Sequence, residues 1–211
     1  MEENRPATEI VAQEACKRGD LEAAATVVYE AYGREIYSFL LSQFPSAASA
    51  EDVFSQFNED FWRGLPGFAW RCSIRAWCYQ LARNAAHRHR RTPHNDRKRH
   101  TPFSQSPWAA SAYQAARTST HPHLQTEVKN EFQRLREKLE PADQELLILR
   151  VDRNLSWHDV AHAMLATDQA SDDASIRRKE ASLRQRYLDL KKRLKAMAIA
   201  AGLLEPRQRD V

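Results

Sequence analysis

The stretch from Ala50 to Arg91 limits the possible folds of this chain more than any other. It carries two amphipathic patterns of helical period, separated by a short segment, Leu65 to Cys72, that Pro66 and Gly67 break. In the first pattern Val53, Phe54, Phe57 and Phe61 fall on one face; in the second Ile74, Trp77, Cys78, Leu81 and Ala85 do. Outside those stripes the charge changes sign, from Glu51, Asp52, Glu59 and Asp60 to Arg75, Arg83, Arg88, Arg90 and Arg91. A cationic face beside exposed rings binds phosphate and stacks bases. Stacking is worth roughly 1–3 kcal/mol per base and needs an unpaired base, so Phe68, Trp70 and Trp77 near this basic helix point to a single strand. Trp77, at helical spacing, can instead be core. Phe68 and Trp70 lie in the broken segment and are less easily explained that way.

Only five glycines occur in 211 residues, and Ala, Leu, Arg and Glu are abundant, which favours helices and leaves no clear strand. The length allows one large domain or two small ones, each with a core of its own. Charge is distributed unevenly. Met1 to Trp62 holds twelve acidic and four basic residues, a balance of −8, whereas Arg83 to His100 holds seven basic and one acidic, +6, with four histidines besides. Such asymmetry fits one acidic surface that docks on protein and one surface that binds a polyanion; for either block alone the alternative is an ordinary solvated helix face. Cysteines at 16, 72 and 78 have no disulfide-framework spacing, as expected in a reducing cytoplasm. The longest apolar run, Ala196 to Leu204, is broken by Gly202 and too short to span a bilayer, and the start of the chain is acidic, so neither membrane insertion nor export is expected.

Along the chain, residues 1–20 are polar, with a weak helix from Thr8 and a partly ordered start. Leu21, Ala24, Val28, Ala31, Tyr32, Ile36, Phe39 and Leu40 predict one helix that Pro45 ends. Ser49 is the expected N-cap of the next helix, Glu51 to Gly64, with Asp52 completing a capping box. After Arg91 the periodicity collapses. Residues 92–126 carry Pro93, Pro102, Pro107 and Pro122 among Ser, Thr and His, and read as a flexible linker whose basic portion is Asn95 to His100. Val128, Phe132, Leu135 and Leu139 restore a helical stripe; Pro141 then opens a helix over Ala142 to Asp152, and Asn154 to Ser156 cap another from Trp157 to Leu165. A polar, acidic loop spans 166–175. From Ile176 to Leu194 a single helix is expected, with Leu183, Tyr187, Leu190, Leu194 and Met197 as its buried seam and nine basic against two acidic residues between Arg177 and Lys195. The fold class is therefore all-α: an extension at 1–20, a helical domain at 21–91, a linker at 92–126, a second helical domain at 127–204 and a tail at 205–211.

Ala50-Glu51-Asp52, Phe61-Trp62-Arg63, Ser73 to Tyr79 and Leu81-Ala82-Arg83-Asn84, taken as spaced matches, resemble region 2 of bacterial sigma-70 factors, nearest to the small extracytoplasmic-function type. Leu139 to Arg150 and Leu155 to Ala161 resemble region 4, a helix-turn-helix domain in which Val160 and Ala161 must be small or apolar where the two helices cross. The resemblance implies a transcription initiation factor with core RNA polymerase (β′ clamp and β flap) and promoter DNA as partners, allows an anti-sigma partner, and brings no cofactor. It assigns Glu51, Asp52, Gln56 and Asp60 to polymerase contact. Recognition and melting of the −10 element fall to Phe68, Trp70, Arg71, Arg75, Trp77, Arg83, Asn84 and Arg88, the loop taking part by capturing a flipped base. Binding of the −35 element falls to Arg177, Arg178, Ser182, Arg184, Gln185, Arg186 and Lys191, with Arg184, Gln185 and Arg186 aligned to the family's base- and phosphate-contacting cluster. The chain departs from the family pattern at Ser55-Gln56, where a Gln-Glu pair is usual, at Asn58, usually apolar, and in the long loop before the recognition helix.

Other chemistries have weaker support. His158 and His162 stand at i and i+4 around Asp159, but a zinc-protease helix needs a Glu and a third ligand downstream. His121 and His123 lack a third ligand, and Cys72, Cys78, His87 and His89 lack the close ligand pair of a zinc site. No phosphate-cradling glycine loop or nucleophile elbow is present, so no enzymatic activity is expected. The alternatives are a stand-alone helix-turn-helix regulator that does not bind polymerase, and a helical interaction protein that binds neither polymerase nor DNA. The acidic face at Glu51 to Asp60 and the aromatic loop favour the initiation factor, because a plain repressor needs neither.

Overall fold

The computed structural model of the chain describes residues 7–91, 127–165 and 172–205, and among these every regular element is helical. The expected linker with His121 and His123, the loop residues 166–171 and the tail 206–211 lie outside the described residues. Two units separate: residues 1–121 with 162–169, and 122–161 with 170–211.

In the first unit α1 (Ala7–Lys17) packs on α2 (Leu21–Val28). Gly19, at φ +78°, reverses the chain between them, a conformation that glycine adopts without steric cost, and Asp20 then caps α2 by accepting from the Ala23 N–H at 3.0 Å. The early helix thus starts at Ala7 and is docked by Ala12 and Ala15. The helix expected from Leu21 to Phe44 is wound differently at its centre. A π-type turn, Tyr29–Gly33, joins α2 to α3 (Arg34–Gln43), and Phe44 leaves in extended conformation ahead of Pro45. A single extra residue in such a turn changes which side chains face inward, and periodicity alone does not reveal it.

The long helix α4 spans Ala47–Gly64, beginning four residues before the expected start. Ser46, in β conformation, is its N-cap, so Ser49 and Asp52 lie inside the helix and form no capping box; Ala47 and Ala48 are strong enough helix formers to extend it backwards. Val53, Phe54, Phe57 and Phe61 are buried, as the stripe requires. Each such ring contributes roughly 1.5–3 kcal/mol through removal from water. They meet Tyr37, whose ring lies 5.3 Å from Phe54, and Tyr29, 5.2 Å from Phe61. A short 3₁₀ turn, Leu65–Gly67, and an irregular segment lead into α5 (Ile74–Arg91), which packs on both α3 and α4. Ser73 caps it, its Oγ accepting from the Ala76 N–H at 3.0 Å.

The buried Asn58 has a partner. The Tyr29 hydroxyl donates to its Oδ1 at 2.8 Å, and burial, with Cys78 nearby, pushes the Tyr29 pKa well above its ordinary value and keeps the donor protonated.

The second unit holds α6 (Glu127–Glu137), α7 (Pro141–Leu147), a π-type turn Ile148–Asp152, the start of α8 (Trp157–Ala163), and α9 (Asp173–Ala200). Pro141 occupies the first turn of α7 as expected. Asn154 turns the chain at φ +50°, and the Ser156 Oγ caps α8 by accepting from the Asp159 N–H at 3.0 Å. Helix α8 ends two residues short of the expected Leu165, while α9 starts three residues before Ile176 and runs six past Leu194. Its N-cap, Asp172, accepts from the Ser175 N–H at 2.6 Å, so the end of the acidic loop belongs to the helix start. Leu183 and Leu190 are fully buried, Tyr187, Leu194 and Met197 half-buried, and Leu146, Leu149 and Leu155 complete the core.

A clamp that the sequence does not reveal fixes α9 to α7. The Asp143 carboxylate is 3% exposed; its Oδ1 accepts from Arg186 Nε at 2.5 Å and its Oδ2 pairs with Arg193.

Two stability predictions follow from these buried polar pairs. Tyr29→Phe and Asn58→Leu each break this hydrogen bond and each should cost about 1–3 kcal/mol in urea unfolding, whereas the double variant should cost clearly less than their sum. Asp143→Ala should lower the stability of the second unit by about 1–3 kcal/mol, the half-exposed arginines limiting the loss; unchanged unfolding would show the clamp to be idle.

Candidate nucleic-acid interface

The broken segment between α4 and α5 is built around one close approach. A β-carbon on Gly64 would lie 2.9 Å from Trp77 Cζ2, so the indole rests directly on the backbone at the end of α4. On the ring's neighbours the contact continues: Phe61 is 5.3 Å away and tilted, and Phe68 stacks on Trp77 at 4.5 Å with 19° between planes. Trp70 follows, 4.9 Å from Phe68. A ladder therefore climbs from the buried Phe61 through half-buried Trp77 and Phe68 to Trp70. Trp77 is the half-buried platform of this ladder, covered by Phe61 and Phe68. Trp70 is held at φ +56°, the left-handed region that costs a bulky residue of order 1–3 kcal/mol and persists only where surroundings impose it. Arg71, next to it, is exposed.

The other residues expected at the −10 element are placed unequally. Arg75 is pinned inside the unit: its Nε and Nη2 donate to Glu35 Oε1 at 2.9 and 2.6 Å, the Tyr79 hydroxyl donates to the same oxygen at 2.6 Å, and the guanidinium lies over the Tyr32 ring. Arg83 is 7% exposed and donates to a backbone carbonyl. Asn84 is half-buried. Arg88 is exposed and pairs with Asp60. Arg90, outside the expected set, donates to the Gln43 side chain at 2.8 Å and lies over Phe44.

On α4, Asp52, Gln56 and Glu59 share the face opposite the phenylalanines, and Asp52 is fully exposed. Gln56 Nε2 donates to Asp60 Oδ1 at 3.1 Å, and Glu51 accepts from the Tyr37 hydroxyl at 3.5 Å. The acidic set is thus one continuous outer face in which Asp60 and Glu51 also serve contacts within the unit.

In the second unit Val160 and Ala161 are buried. Arg177, Arg184 and Lys191 recur every seventh residue along α9 and are exposed, as are Arg178, Ser182 and Gln185. Gln185 Nε2 donates to Asp189 at 3.2 Å, and Arg178 Nη2 to Ser175 Oγ at 3.1 Å. Arg186, expected at the upstream element, is turned to Asp143 instead, so its guanidinium holds the unit together. Two residues had no place in the expected set: Asp143, and Trp157, whose ring lies 5.4 Å from Tyr187. No local spacing singles out Asp143, whose partners Arg186 and Arg193 lie 43 and 50 residues away in the chain.

Metal and thiol chemistry has little to work with here. Among the described residues no group of three or more His, Cys, Asp or Glu could hold a metal ion. His158 is exposed and His162 buried, so the two imidazoles meet different surroundings. Burial pushes the Cys78 thiol well above its ordinary pKa, with Cys72, Glu35 and Glu9 adding to the shift, which removes the reactive thiolate. No helix among the described residues is long and apolar enough to cross a membrane.

Comparison with known proteins returns one family. Residues 28–95 match the family model of sigma-70 region 2. No curated protein and no solved structure matches the chain. The match covers α3, α4, the aromatic ladder and α5 together, so over residues 28–95 this chain is similar to sigma-70 region 2.

Proposed function

We propose that this chain is a small sigma factor of the extracytoplasmic-function type that directs core RNA polymerase to promoters and has no catalytic activity of its own. The observation that carries this reading is the aromatic ladder ending in the constrained Trp70 beside exposed Arg71, inside the segment that matches region 2. A half-buried ring fixed beside an exposed cation suits an unstacked base and the phosphate next to it. The outer face of α4, with Asp52, Gln56 and Asp60, is the docking face for the polymerase β′ clamp; an anti-sigma protein would act by covering it.

The second unit is read as a region 4-like helix-turn-helix module with α9 as the recognition helix, reaching the −35 element through Arg177, Arg184, Gln185 and Lys191. Residues 92–126 would join this module to the −10 domain, and the whole would work in the cytoplasm. Small cationic modules of this kind place base contacts by first anchoring on phosphates, so weak side-chain hydrogen bonds within α9 are expected to exchange for contacts with DNA.

Capture of core polymerase by the purified chain, followed by run-off transcription on a promoter library, tests the reading. The expected outcome is polymerase-dependent transcription from a subset of promoters; binding to duplex DNA without any binding to polymerase would instead make the chain a stand-alone regulator. Trp70→Ala should keep the far-UV circular dichroism spectrum and polymerase capture while reducing open-complex formation about tenfold, as loss of one base-stacking contact predicts. Gly64→Ala should disturb the same step for a different reason, by displacing Trp77, and should show it as an altered tryptophan emission in the absence of DNA.

A further inference from the structure

Two guanidiniums lie over the Trp157 ring. Arg150, from the π-type turn, lies 5.1 Å from the indole centroid, and Arg184, from α9, lies 5.8 Å from it. Tyr187 meets the same ring edge-on at 5.4 Å, and its own ring receives Lys191 Nζ at 4.9 Å. Three cations from two elements are therefore arranged on two joined rings. The two arginine charges can be no farther apart than the sum of their distances to one centroid, so both stay within reach of a single ring.

How each charge is held distinguishes this cluster from the rest of the unit. Arg186 and Arg193 share the buried Asp143 carboxylate, which offsets their charge. Arg150 has no such acid among the described residues: Nη1 donates to the Leu155 carbonyl at 2.7 Å, a neutral partner that fixes the side chain and leaves the charge in place. Arg184 pairs with Glu180, but that pair is on the surface, with Arg184 55% exposed, and a surface pair of this kind is worth under about 1 kcal/mol and exchanges readily. A ring face orients a guanidinium without occupying its N–H edge, and five donors are available on each. The arrangement holds charge and direction ready for an anion that spans both elements.

We infer that Arg150, Trp157 and Arg184 form a phosphate-backbone clamp in which Trp157 is the positioning residue and Arg150 a phosphate ligand outside the recognition helix. This rests on the reading of the second unit as a duplex-binding module. DNA phosphate is favoured over an acidic peptide because the cluster is continuous with the exposed stripe Arg177, Arg184 and Lys191 along α9, which suits a regular row of anions.

The test measures affinity of the full-length chain, alone and with core polymerase, for a labelled duplex of random sequence across a salt series, with polyglutamate as a second probe. Arg150→Gln should weaken duplex binding several-fold on all sequences alike and lower the slope of log affinity against log salt by about 1, the signature of one lost phosphate contact. Trp157→Leu should lower both more than Arg150→Gln does, and Trp157→Phe, which keeps a ring face, should stay within about twofold of the parent. An unchanged slope in Arg150→Gln overturns the clamp while leaving duplex binding by the unit intact, and so does equal behaviour of the Leu and Phe variants. A larger loss on polyglutamate than on DNA overturns it in favour of an acidic protein partner. Failure of the parent chain to bind duplex in either form overturns the module reading along with the clamp.

Discussion

The contact of Trp77 on the bare backbone at Gly64 is what the first unit depends on. Because no side chain intervenes, α5 approaches the end of α4 closely enough for Phe61, Trp77 and Phe68 to pass from core to surface without a gap. The loop between the helices is thereby given its shape from below. Its rings are not a flexible apolar loop that happens to be exposed; each lies against the one before it, and Trp70, last in the series, takes up the backbone strain. Strain of that kind is retained where the surrounding packing over-determines a conformation, which is the condition a base-holding ring needs.

The same packing decides which arginines can act outward. A helix rich in arginine has two uses for the charge, and the neighbouring elements choose between them. Glu35, supplied by α3, takes Arg75 together with the Tyr79 hydroxyl, and so ties α3 to α5 at the cost of an outward-facing cation. Asp60 takes Arg88 and ties the acidic helix to the basic one. In the second unit Asp143 does this for Arg186 and Arg193. Charge counts along the sequence therefore overstate the cationic surface, because a carboxylate that is nearly fully buried removes its partners from the set available to a polyanion.

The helices themselves were legible in the sequence because the period of the apolar residues is a local property: the phenylalanine stripe of α4 and the Leu183 to Leu190 seam of α9 are buried as read. What escaped is what depends on residues far apart in the chain. The π-type turns at Tyr29–Gly33 and Ile148–Asp152 satisfy tertiary packing and leave no mark in the pattern. The start of α4 was misplaced because Ser49 and Asp52 mimic a capping box, while Ser46, followed by two alanines, is the residue that turns the chain. Of the candidate DNA contacts, Trp70, Arg71, Arg184 and Lys191 stand at the surface or half-exposed, whereas Arg75, Arg83 and Arg186 have partners that no wheel or spacing could disclose.

Asn58 shows how a departure from a family pattern can be a packing solution. It stands in the apolar stripe of α4 between Phe54 and Phe61, where a polar side chain without a partner would cost the unit about 1–3 kcal/mol. Tyr29, on the π-type turn, supplies that partner while its ring packs edge-on against Phe61. The hydrogen bond fixes where along α4 the turn can sit, since a one-residue slip would separate the two groups. An apolar pair at these positions would bury as much area without specifying register, so the polar pair selects one alignment of α4 under the aromatic ladder, and with it the position from which Trp70 is presented.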